Sequence, residues 1–288
     1  MLMDYAIITP VKNEAERIEA TLQSVMDQTV KPRQWLIIDD FSTDNTAVII
    51  QRYLKHHGYI RLLQAPQTAR GDYSSRVVEL VLFGLVRLQT DAELIVKLDG
   101  DVKFGPDFFA SILREFEQNP RLGIASGVLT ENGVPEAVDL SMGNTRGATK
   151  CYRRSCLNDI GGLYPYTSWD TVDNAAARAR QWQTRTLPVY FEHLKPEGSK
   201  AGSKLYNHYR TGLANGRIPY DGLYFGIKAL SKATEPPFLL GTLAQFWGYC
   251  QTRYFRRERP FPPFVTEQVR KEQRGYLLRK LTGRRTHS

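Results

Sequence analysis

The chain has 288 residues, of which 42% are hydrophobic, and this composition excludes an intrinsically disordered protein. The formal net charge of +9 at pH 7 favours anionic partners, namely nucleotides, nucleic acid or an anionic membrane surface. Most of the excess lies near the end of the chain, where residues 251–288 hold eleven Lys or Arg and three Glu, a net charge of +8.

The cellular compartment is suggested by what the sequence lacks. Three cysteines show neither a disulfide framework nor metal-ligand spacing, which favours a reducing environment. The first residues lack the basic and then apolar pattern of a secretion signal. The longest apolar stretch, residues 238–250, is shorter than the about 20 residues that span a bilayer. We therefore expect a cytoplasmic protein without a transmembrane helix.

Strand and helix patterns alternate through residues 5–129. Amphipathic spacing predicts helices between the strands, and Asn13 stands where it would cap the first helix. Such alternation predicts an α/β domain with a mostly parallel sheet and helices on both faces. Short apolar runs predict the strands at residues 5–9, 35–38, 60–63, 94–98 and 123–129.

Polar side chains follow three of these strands at their carboxyl ends. In parallel sheets ligands bind beyond those ends, and hard divalent cations prefer carboxylate and phosphate oxygens. A single Asp-x-Asp pair is usually a solvated turn, but three polar clusters on one edge favour a nucleotide-and-metal site. The clusters are Asn13 with Glu14, Asp39 with Asp40, and Asp99 with Asp101.

The order and spacing of three motifs resemble those of the family-2 glycosyltransferases of GT-A fold. The motifs are residues 7–14 (IITPVKNE), 37–46 (IIDDFSTDNT) and 97–102 (KLDGDV), and the similarity covers about residues 3–195. The resemblance implies a GT-A (Rossmann-like) fold, a nucleoside-diphosphate sugar as donor, with UDP favoured, and Mn²⁺ or Mg²⁺ as cofactor. One departure is Phe41, where the family often has glycine.

The resemblance also implies roles for individual residues. Asp40 would accept a hydrogen bond from the base, Asp101 would bind the metal that bridges the diphosphate, and Asp99 would contact the ribose or the metal. His193 stands where a histidine completes the metal site in some relatives, although a lone histidine is more often structural. Arg70 is the basic residue implied near the diphosphate, with a solvated loop arginine as the alternative. The implied nucleotide-binding residues are Pro10, Val11, Asn13, Glu14, Asp40, Arg70 and Asp99.

The family places the catalytic base at the start of a helix after the metal motif. Here that helix start carries Asp170 and Asp173, and either can be the base that takes the proton from the incoming hydroxyl. A carboxylate at such a position can also be merely a helix cap. Trp169 stands where the family commonly has glutamate, so the alignment can shift by a residue. We favour Asp170 as the base, with Asp173 as the alternative.

The end of the chain differs in character from the rest. We divide the chain into residues 1–195, a nucleotide-sugar-binding and catalytic domain, and residues 196–288, an acceptor-side loop followed by a basic, aromatic and helical extension. In the extension, residues 238–250 predict a helix that runs into aromatic residues and two arginines. Rings beside arginines suit an anionic membrane surface. A buried C-terminal helix with a solvated basic tail explains the pattern equally well.

Together these features predict a metal-dependent, inverting glycosyltransferase. It would move a sugar to a hydroxyl acceptor, a glycan or lipid-linked glycan, in cell-surface polysaccharide or glycolipid synthesis. Peripheral attachment to the cytoplasmic face of a membrane through residues 238–288 is compatible with this activity, and no nucleic-acid partner is expected. Relatives of the cellulose-synthase type carry a Gln-x-x-Arg-Trp motif after the base. Residues 180–185 hold its residue types in another order, which favours transfer of single sugars over polymer extrusion.

Two alternatives remain. A non-catalytic membrane- or nucleic-acid-binding protein on the same fold would use the basic tail, but it would not need the carboxylates. A sugar-1-phosphate nucleotidyltransferase would need a glycine-rich, basic loop after the first strand, which residues 9–14 do not provide.

Overall fold

The computed structural model describes residues 3–67, 73–131, 133–138, 143–195, 204–218, 220–231, 233–234 and 237–282. The chain divides into two compact units, Met1–Gly198 and Ser199–Ser288. The strands of the first unit are β1 Tyr5–Val11, β2 Gln34–Asp39, β3 Ile60–Gln64, β4 Leu94–Leu98, β5 Val102–Phe104, β6 Leu122–Glu131, β7 Val134–Pro135, β8 Thr149–Arg153 and β9 Gln183–His193. Its helices are α1 Ile18–Met26, α2 Thr46–Leu54, α3 Tyr73–Leu85, α4 Phe108–Gln118, α5 Arg154–Asp159 and α6 Trp169–Ala179.

One half of the sheet is parallel and lies between helices. Its strand order is β3-β2-β1-β4, and each neighbouring pair is parallel. On one face, Ile7 and Ile37 belong to the core that includes residues of α1 and α4. On the other face α3 comes very close, since a Cβ atom on Gly84 would lie 2.7 Å from Ile8 Cγ2 and 2.9 Å from Ile38 Cδ1. Strands buried on both faces need continuous apolar runs, which is why the sequence predicts them well.

The other half of the sheet is mixed. Strand β8 is antiparallel to β4 and β6, whereas β9 is parallel to β6 and antiparallel to β5. Of these strands and β7, the sequence predicts only β6. Strands β5 and β7 have three and two residues, and β8 contains the buried Lys150, so none of the three shows an apolar run. The expected α/β class, with a mostly parallel sheet and helices on both faces, is confirmed.

The first helix begins later than predicted. It starts at Ile18, with Arg17 in the N-cap position. Asn13 has a left-handed backbone with φ of 54°, and its Oδ1 accepts a hydrogen bond of 2.8 Å from Thr43 N. The prediction that Asn13 caps this helix is therefore wrong, because its side chain bonds to the turn after β2 instead.

The second unit is helical. Within it, α7 and α9 pack with their backbones in close contact, since a Cβ atom on Gly212 would lie 2.0 Å from Gln245 O. Phe225 of α8 stacks on Tyr249 of α9 with ring centroids 4.0 Å apart. The expected helical extension is confirmed, and none of the described helices is both long and apolar enough to cross a membrane. The elements are α7 Lys204–Arg217, α8 Gly222–Leu230, α9 Leu239–Cys250, a continuing π-helical turn at Gln251–Phe255, and α10 Pro263–Thr282.

Candidate metal and nucleotide site

The carboxyl ends of β1, β2 and β4 lie at one edge of the sheet. The register pairs Val11 with Asp39 across β1 and β2, and Ile8 with Lys97 across β1 and β4. Asp40 N also donates a hydrogen bond of 2.8 Å to Val11 O. The polar residues that follow these three strands therefore share one edge.

Three potential metal ligands converge beside this edge. Asp99, Asp101 and His193 each offer a ligand atom, and these atoms lie within 4.8 Å of one another. The β5–β9 pairing brings His193 there, because it aligns His193 with Val102 and lets Leu194 N donate to Asp101 O at 2.8 Å. His193 Nε2 lies 3.6 Å from Asp101 Oδ1.

The orientation of His193 suits metal binding. Its Nδ1 lies 2.9 Å from the carbonyl oxygen of Lys195. Because a carbonyl oxygen only accepts hydrogen bonds, Nδ1 donates to it, which leaves Nε2, the nitrogen nearer Asp101, as the ring nitrogen available to a metal. Metal-binding histidines commonly hold their second nitrogen in this way.

Buried negative charge accumulates around these ligands. Asp101 is 7% exposed, and burial, followed by the charge of Asp99, raises the pKa of its carboxyl group. Burial and then the charge of Asp101 likewise raise the pKa of Glu14. A cation would relieve this repulsion, and two carboxylates with one imidazole form a donor set that fits a divalent ion such as Mn²⁺.

Gly100 lies between the two carboxylates and allows close packing. A Cβ atom there would lie 2.7 Å from Val11 Cγ1. The end of β1 therefore rests directly on the turn that carries Asp99 and Asp101. This contact couples the position of the metal ligands to the segment at residues 10–14.

Side chains of the turn at residues 41–46 accept hydrogen bonds from the backbone of the segment that follows β1. Glu14 keeps one carboxylate oxygen, Oε2, buried without a hydrogen-bond partner among the described residues. Lys195 Nζ lies 3.6 Å from its other oxygen, so Lys195 links this segment to the strand that carries His193. The backbone contacts of the turn are Asn13 N to Ser42 Oγ at 3.0 Å, Glu14 N to Thr46 Oγ1 at 2.8 Å and Ala15 N to Asp44 Oδ2 at 3.1 Å.

Phe41 begins this turn in a strained conformation. Its φ of 56° lies in the left-handed region, which costs a non-glycine residue about 1–2 kcal/mol. A glycine at this position, as in the family that the motifs resemble, would adopt this backbone without that strain.

Arg76 is a site residue that the sequence analysis misses. Its Nη2 and Nε donate to Asp40 Oδ1 at 2.7 Å and 3.1 Å, while Lys12 Nζ lies 3.6 Å from Asp40 Oδ2. Asp40 is thus held by basic side chains at the edge of the sheet. A basic residue near the start of a predicted helix was the available signal, whereas Arg70, chosen instead, lies outside the described residues.

Lys97 is a second missed residue. It is 3% exposed, forms an ion pair with Asp99 and donates to Gly147 O at 2.9 Å. Its Nζ also lies 5.3 Å from the centroid of a Trp169 ring. Side chains two positions apart along a strand lie on the same face, so a lysine two residues before Asp99 was the signal.

Asp173 is enclosed by hydrogen-bond donors. It is 1% exposed, and its Oδ1 accepts from Lys150 Nζ at 2.6 Å while its Oδ2 accepts from the Tyr152 hydroxyl. Burial raises the pKa of Asp173 and lowers the pKa of Lys150. Both carboxylate oxygens are therefore used inside the protein.

Asp170 lies in a more open position in the first turn of α6. Its side chain is half-buried, and a Cβ atom on Gly147 would lie 3.7 Å from Asp170 Cβ. The carbonyl oxygen of Gly147 accepts a hydrogen bond from Lys97, which pairs with Asp99. Gly147 therefore connects Asp170 to this ion pair. Ser168 occupies the N-cap position, so neither aspartate caps the helix.

Replacing Asp173 with leucine should lower the free energy of unfolding by about 3–5 kcal/mol, because Lys150 would stay buried without its partner. The double variant Asp173→Leu/Lys150→Met should recover most of this loss. Urea denaturation measures both. The matched control is Glu16→Gln, which removes the exposed Glu16–Arg17 ion pair of 3.0 Å and should cost less than about 1 kcal/mol. If Asp173→Leu alone were as stable as the parent, the structural role of the Asp173–Lys150 pair would be contradicted.

Sequence comparison connects the chain to known proteins. Residues 6–165 match the family described as glycosyl transferase family 2. A poly-beta-1,6-N-acetyl-D-glucosamine synthase of Staphylococcus epidermidis is 27% identical over 115 residues, which are 40% of this chain and 26% of that protein. TuaG of Bacillus subtilis, named for teichuronic acid biosynthesis, is 44% identical over 50 residues, 17% of this chain and 20% of its own. The alignments thus span about a quarter or less of these relatives.

Solved structures show the same fold. The mannosyltransferase PcManGT of Pyrobaculum calidifontis, in complex with GDP-Man and Mn²⁺, superposes with a TM-score of 0.61 at 17% identity, covering 98% of this chain and 80% of that one. Residues 1–349 of Staphylococcus aureus TarS, in complex with UDP-GlcNAc, give a TM-score of 0.61 at 18% identity, with 96% and 92% covered. At these identities the similarity establishes the fold alone, which is the GT-A fold that the motifs predict.

Proposed function

Because the chain belongs to glycosyl transferase family 2, we propose that it moves a sugar from a nucleoside-diphosphate sugar to a hydroxyl acceptor with inversion. The observation that carries the proposal is the convergence of Asp99, Asp101 and His193 beside the ends of β1 and β2. In this arrangement two carboxylates and an imidazole lie next to Glu14, whose buried Oε2 accepts no hydrogen bond among the described residues and lies 3.7 Å from Arg17 Nη1. A pure binding protein has no need of such a donor set.

The donor would lie along the edge formed by residues 10–14, Asp40 and Asp99. Asp40 would orient the base while Arg76 and Lys12 hold its carboxylate in place. UDP is the favoured nucleotide, because the motifs resemble members that bind uracil and one of the similar structures holds UDP-GlcNAc. Arg70 remains the proposed basic contact to the diphosphate.

The metal ligands would be Asp101 and His193, with Asp99 as a ligand or ribose contact. When bound there, Mn²⁺ or Mg²⁺ supplies positive charge to the leaving diphosphate. The protein's part is to keep the proton of His193 on Nδ1, through Lys195 O, and to hold Asp99 through Lys97. Manganese is present in the PcManGT complex, which supports testing that ion first.

Asp170 is the proposed base, in preference to Asp173. A base must reach the acceptor hydroxyl, and the half-buried Asp170 carboxylate is the more open of the two. Asp173 already accepts hydrogen bonds from Lys150 and Tyr152. Lys150 Nζ also donates to Asp170 O at 2.6 Å, so the buried pair fixes the helix turn that presents Asp170.

The acceptor we propose is a hydroxyl of a glycan or lipid-linked glycan in cell-surface polysaccharide synthesis. The names of the poly-N-acetylglucosamine synthase and of TuaG support this substrate class. A lipid-linked acceptor would place the reaction at the cytoplasmic face of a membrane, with the chain attached peripherally through residues 238–288. The net charge of +8 over residues 251–288 favours such a surface.

A thermal-shift panel of UDP-, GDP-, dTDP- and CDP-sugars with Mn²⁺ tests the donor assignment. A ligand that binds only the native state stabilises it by about 2.7 kcal/mol at a concentration of 100 Kd. We expect the UDP-sugars to raise the melting temperature most, and only with Mn²⁺ present. The control is the same panel after chelation of the metal. The proposed function would be overturned if none of the donors raised the melting temperature.

A further inference from the structure

Helix α9 turns its most apolar side chains outward. Leu239, Leu240, Leu243 and Trp247 are each 58–65% exposed. At 100° per residue these four positions fall within one third of the helix circumference. The opposite side of the helix is buried and contains mostly small or polar residues, namely Gly241, Thr242, Gln245, Gly248 and Tyr249.

The buried side of α9 packs against α7 through backbone contact. A Cβ atom on Gly248 would lie 2.3 Å from Tyr209 O, and one on Gly212 would lie 2.0 Å from Gln245 O. Just beyond α9, Thr252 Oγ1 in the π-helical turn donates a hydrogen bond to Leu213 O of α7 at 3.1 Å. Helices associate in this way in lipid, with small residues between them and apolar residues outside.

The outward apolar surface continues beyond α9. The rings of Trp247 and Phe255 lie 6.0 Å apart, and Phe255 in the π-helical turn is 70% exposed. We define the apolar face as Leu239, Leu240, Leu243, Trp247 and Phe255. Monomeric proteins rarely leave such a contiguous apolar patch in water, so it indicates an interaction surface.

Arginines adjoin the apolar face. Arg256 and Arg257 follow Phe255 directly, and both are exposed. Burial and then the charges of neighbouring arginines lower the pKa of Arg259, so these cations lie close enough to repel one another. Glu258 is paired with Arg217 and Arg256 and offsets only part of this charge. The neighbours of Arg259 are Arg253, Arg257 and Arg270.

We infer that the apolar face and its adjoining arginines seat the C-terminal unit on an anionic lipid surface, with α9 lying in the plane of the interface. This inference rests on the proposed membrane location and names the surface responsible. Rings and leucines enter the acyl boundary while arginines meet lipid phosphates. The twelve residues of α9 extend about 18 Å, too short for the about 30 Å hydrocarbon core.

Charge favours lipid over a second copy of the chain on this face. An anionic surface complements the arginines. A second copy offers the same apolar side chains and the same arginines, so in a parallel pair the two sets of arginines repel each other, and in an antiparallel pair they meet no anionic group on the apolar face. A lipid surface satisfies the apolar and the basic parts together.

Vesicle sedimentation of the full chain tests the inference. The vesicles contain phosphatidylcholine with or without phosphatidylglycerol. We expect the parent to sediment with the anionic vesicles, and Leu240→Asn/Leu243→Asn to bind them at least about tenfold more weakly. Arg256→Gln/Arg257→Gln should lose the preference for phosphatidylglycerol, because that preference is electrostatic. The control Val86→Asn/Val134→Asn, at valines 78% and 67% exposed in the first unit, should bind like the parent.

Three results would overturn the inference. They are parental binding by the leucine variant, absence of vesicle binding by the parent, and an oligomer of the parent without lipid that the leucine variant abolishes. The donor-induced thermal shift with Mn²⁺ is recorded for every variant and verifies its fold. If the parent shows the donor shift but does not bind vesicles, this inference alone is refuted. If the parent binds vesicles but shows no donor shift, the proposed function alone is refuted.

Discussion

Sugar transfer should fall about 10²–10³-fold in Asp101→Asn, the range seen when one preorganised charge-stabilising group is removed. The amide keeps the shape of the carboxylate but removes the charge that binds the cation. Stability without metal should not decrease, because the change relieves repulsion from Asp99 and Glu14. Initial rates measured over a range of Mn²⁺ concentrations, with calorimetric Mn²⁺ binding, separate loss of the ion from loss of fold.

Asp91→Asn is the matched control for this change, since Asp91 is an exposed aspartate of the same unit before β4. It should leave turnover and Mn²⁺ affinity unchanged. His193→Gln should weaken Mn²⁺ binding by a smaller factor, because the two carboxylates remain. Turnover equal to the parent in Asp101→Asn would refute the metal role of this residue.

Turnover should fall about 10²–10⁴-fold in Asp170→Asn, the usual contribution of a positioned base. Donor binding should persist, because Asp170 does not belong to the edge that carries Asp40 and Asp99. The measurement pairs steady-state transfer with the donor-induced thermal shift.

Asp173→Asn distinguishes the two candidate bases. It should lower stability through Lys150 and leave turnover per folded molecule within a few-fold of the parent's, when assayed well below its melting temperature. Full turnover in Asp170→Asn, together with loss of turnover in folded Asp173→Asn, would reverse the assignment.

The sequence predicts the fold and the site best where the residue pattern of a single strand is sufficient. Continuous apolar runs mark β1 to β4, and the residues that end them, such as Asp40 and Asp99, reach the shared edge because parallel strands point the same way. Local pattern suffices there. It also suffices for the helical character of the C-terminal unit.

The local pattern fails where the position of a residue depends on which strands pair across the sheet. The place of His193 depends on the antiparallel register of β5 with β9, and β5 has only three residues. The local pattern places Lys97 on the same face as Asp99, but it does not show that the ammonium group is buried between Asp99 and Gly147 O. For α9 the sequence leaves two alternatives open, a membrane-facing helix and a buried one. The close backbone contacts of Gly212 and Gly248 lie on the side of α9 opposite its leucines, which are exposed.

The β5–β9 pairing also has a consequence for the order in which the protein folds. Strands β1 to β4 all lie before residue 99, whereas His193 belongs to β9, the last strand of the first unit. Because the amino-terminal part of a chain is synthesised first, β1 to β4 can pair before β9 is available. A cation bound by Asp101 and His193 would then stabilise the pairing of β9, the strand that pairs last. Metal depletion should accordingly loosen the β5–β9 end first and leave the parallel half intact.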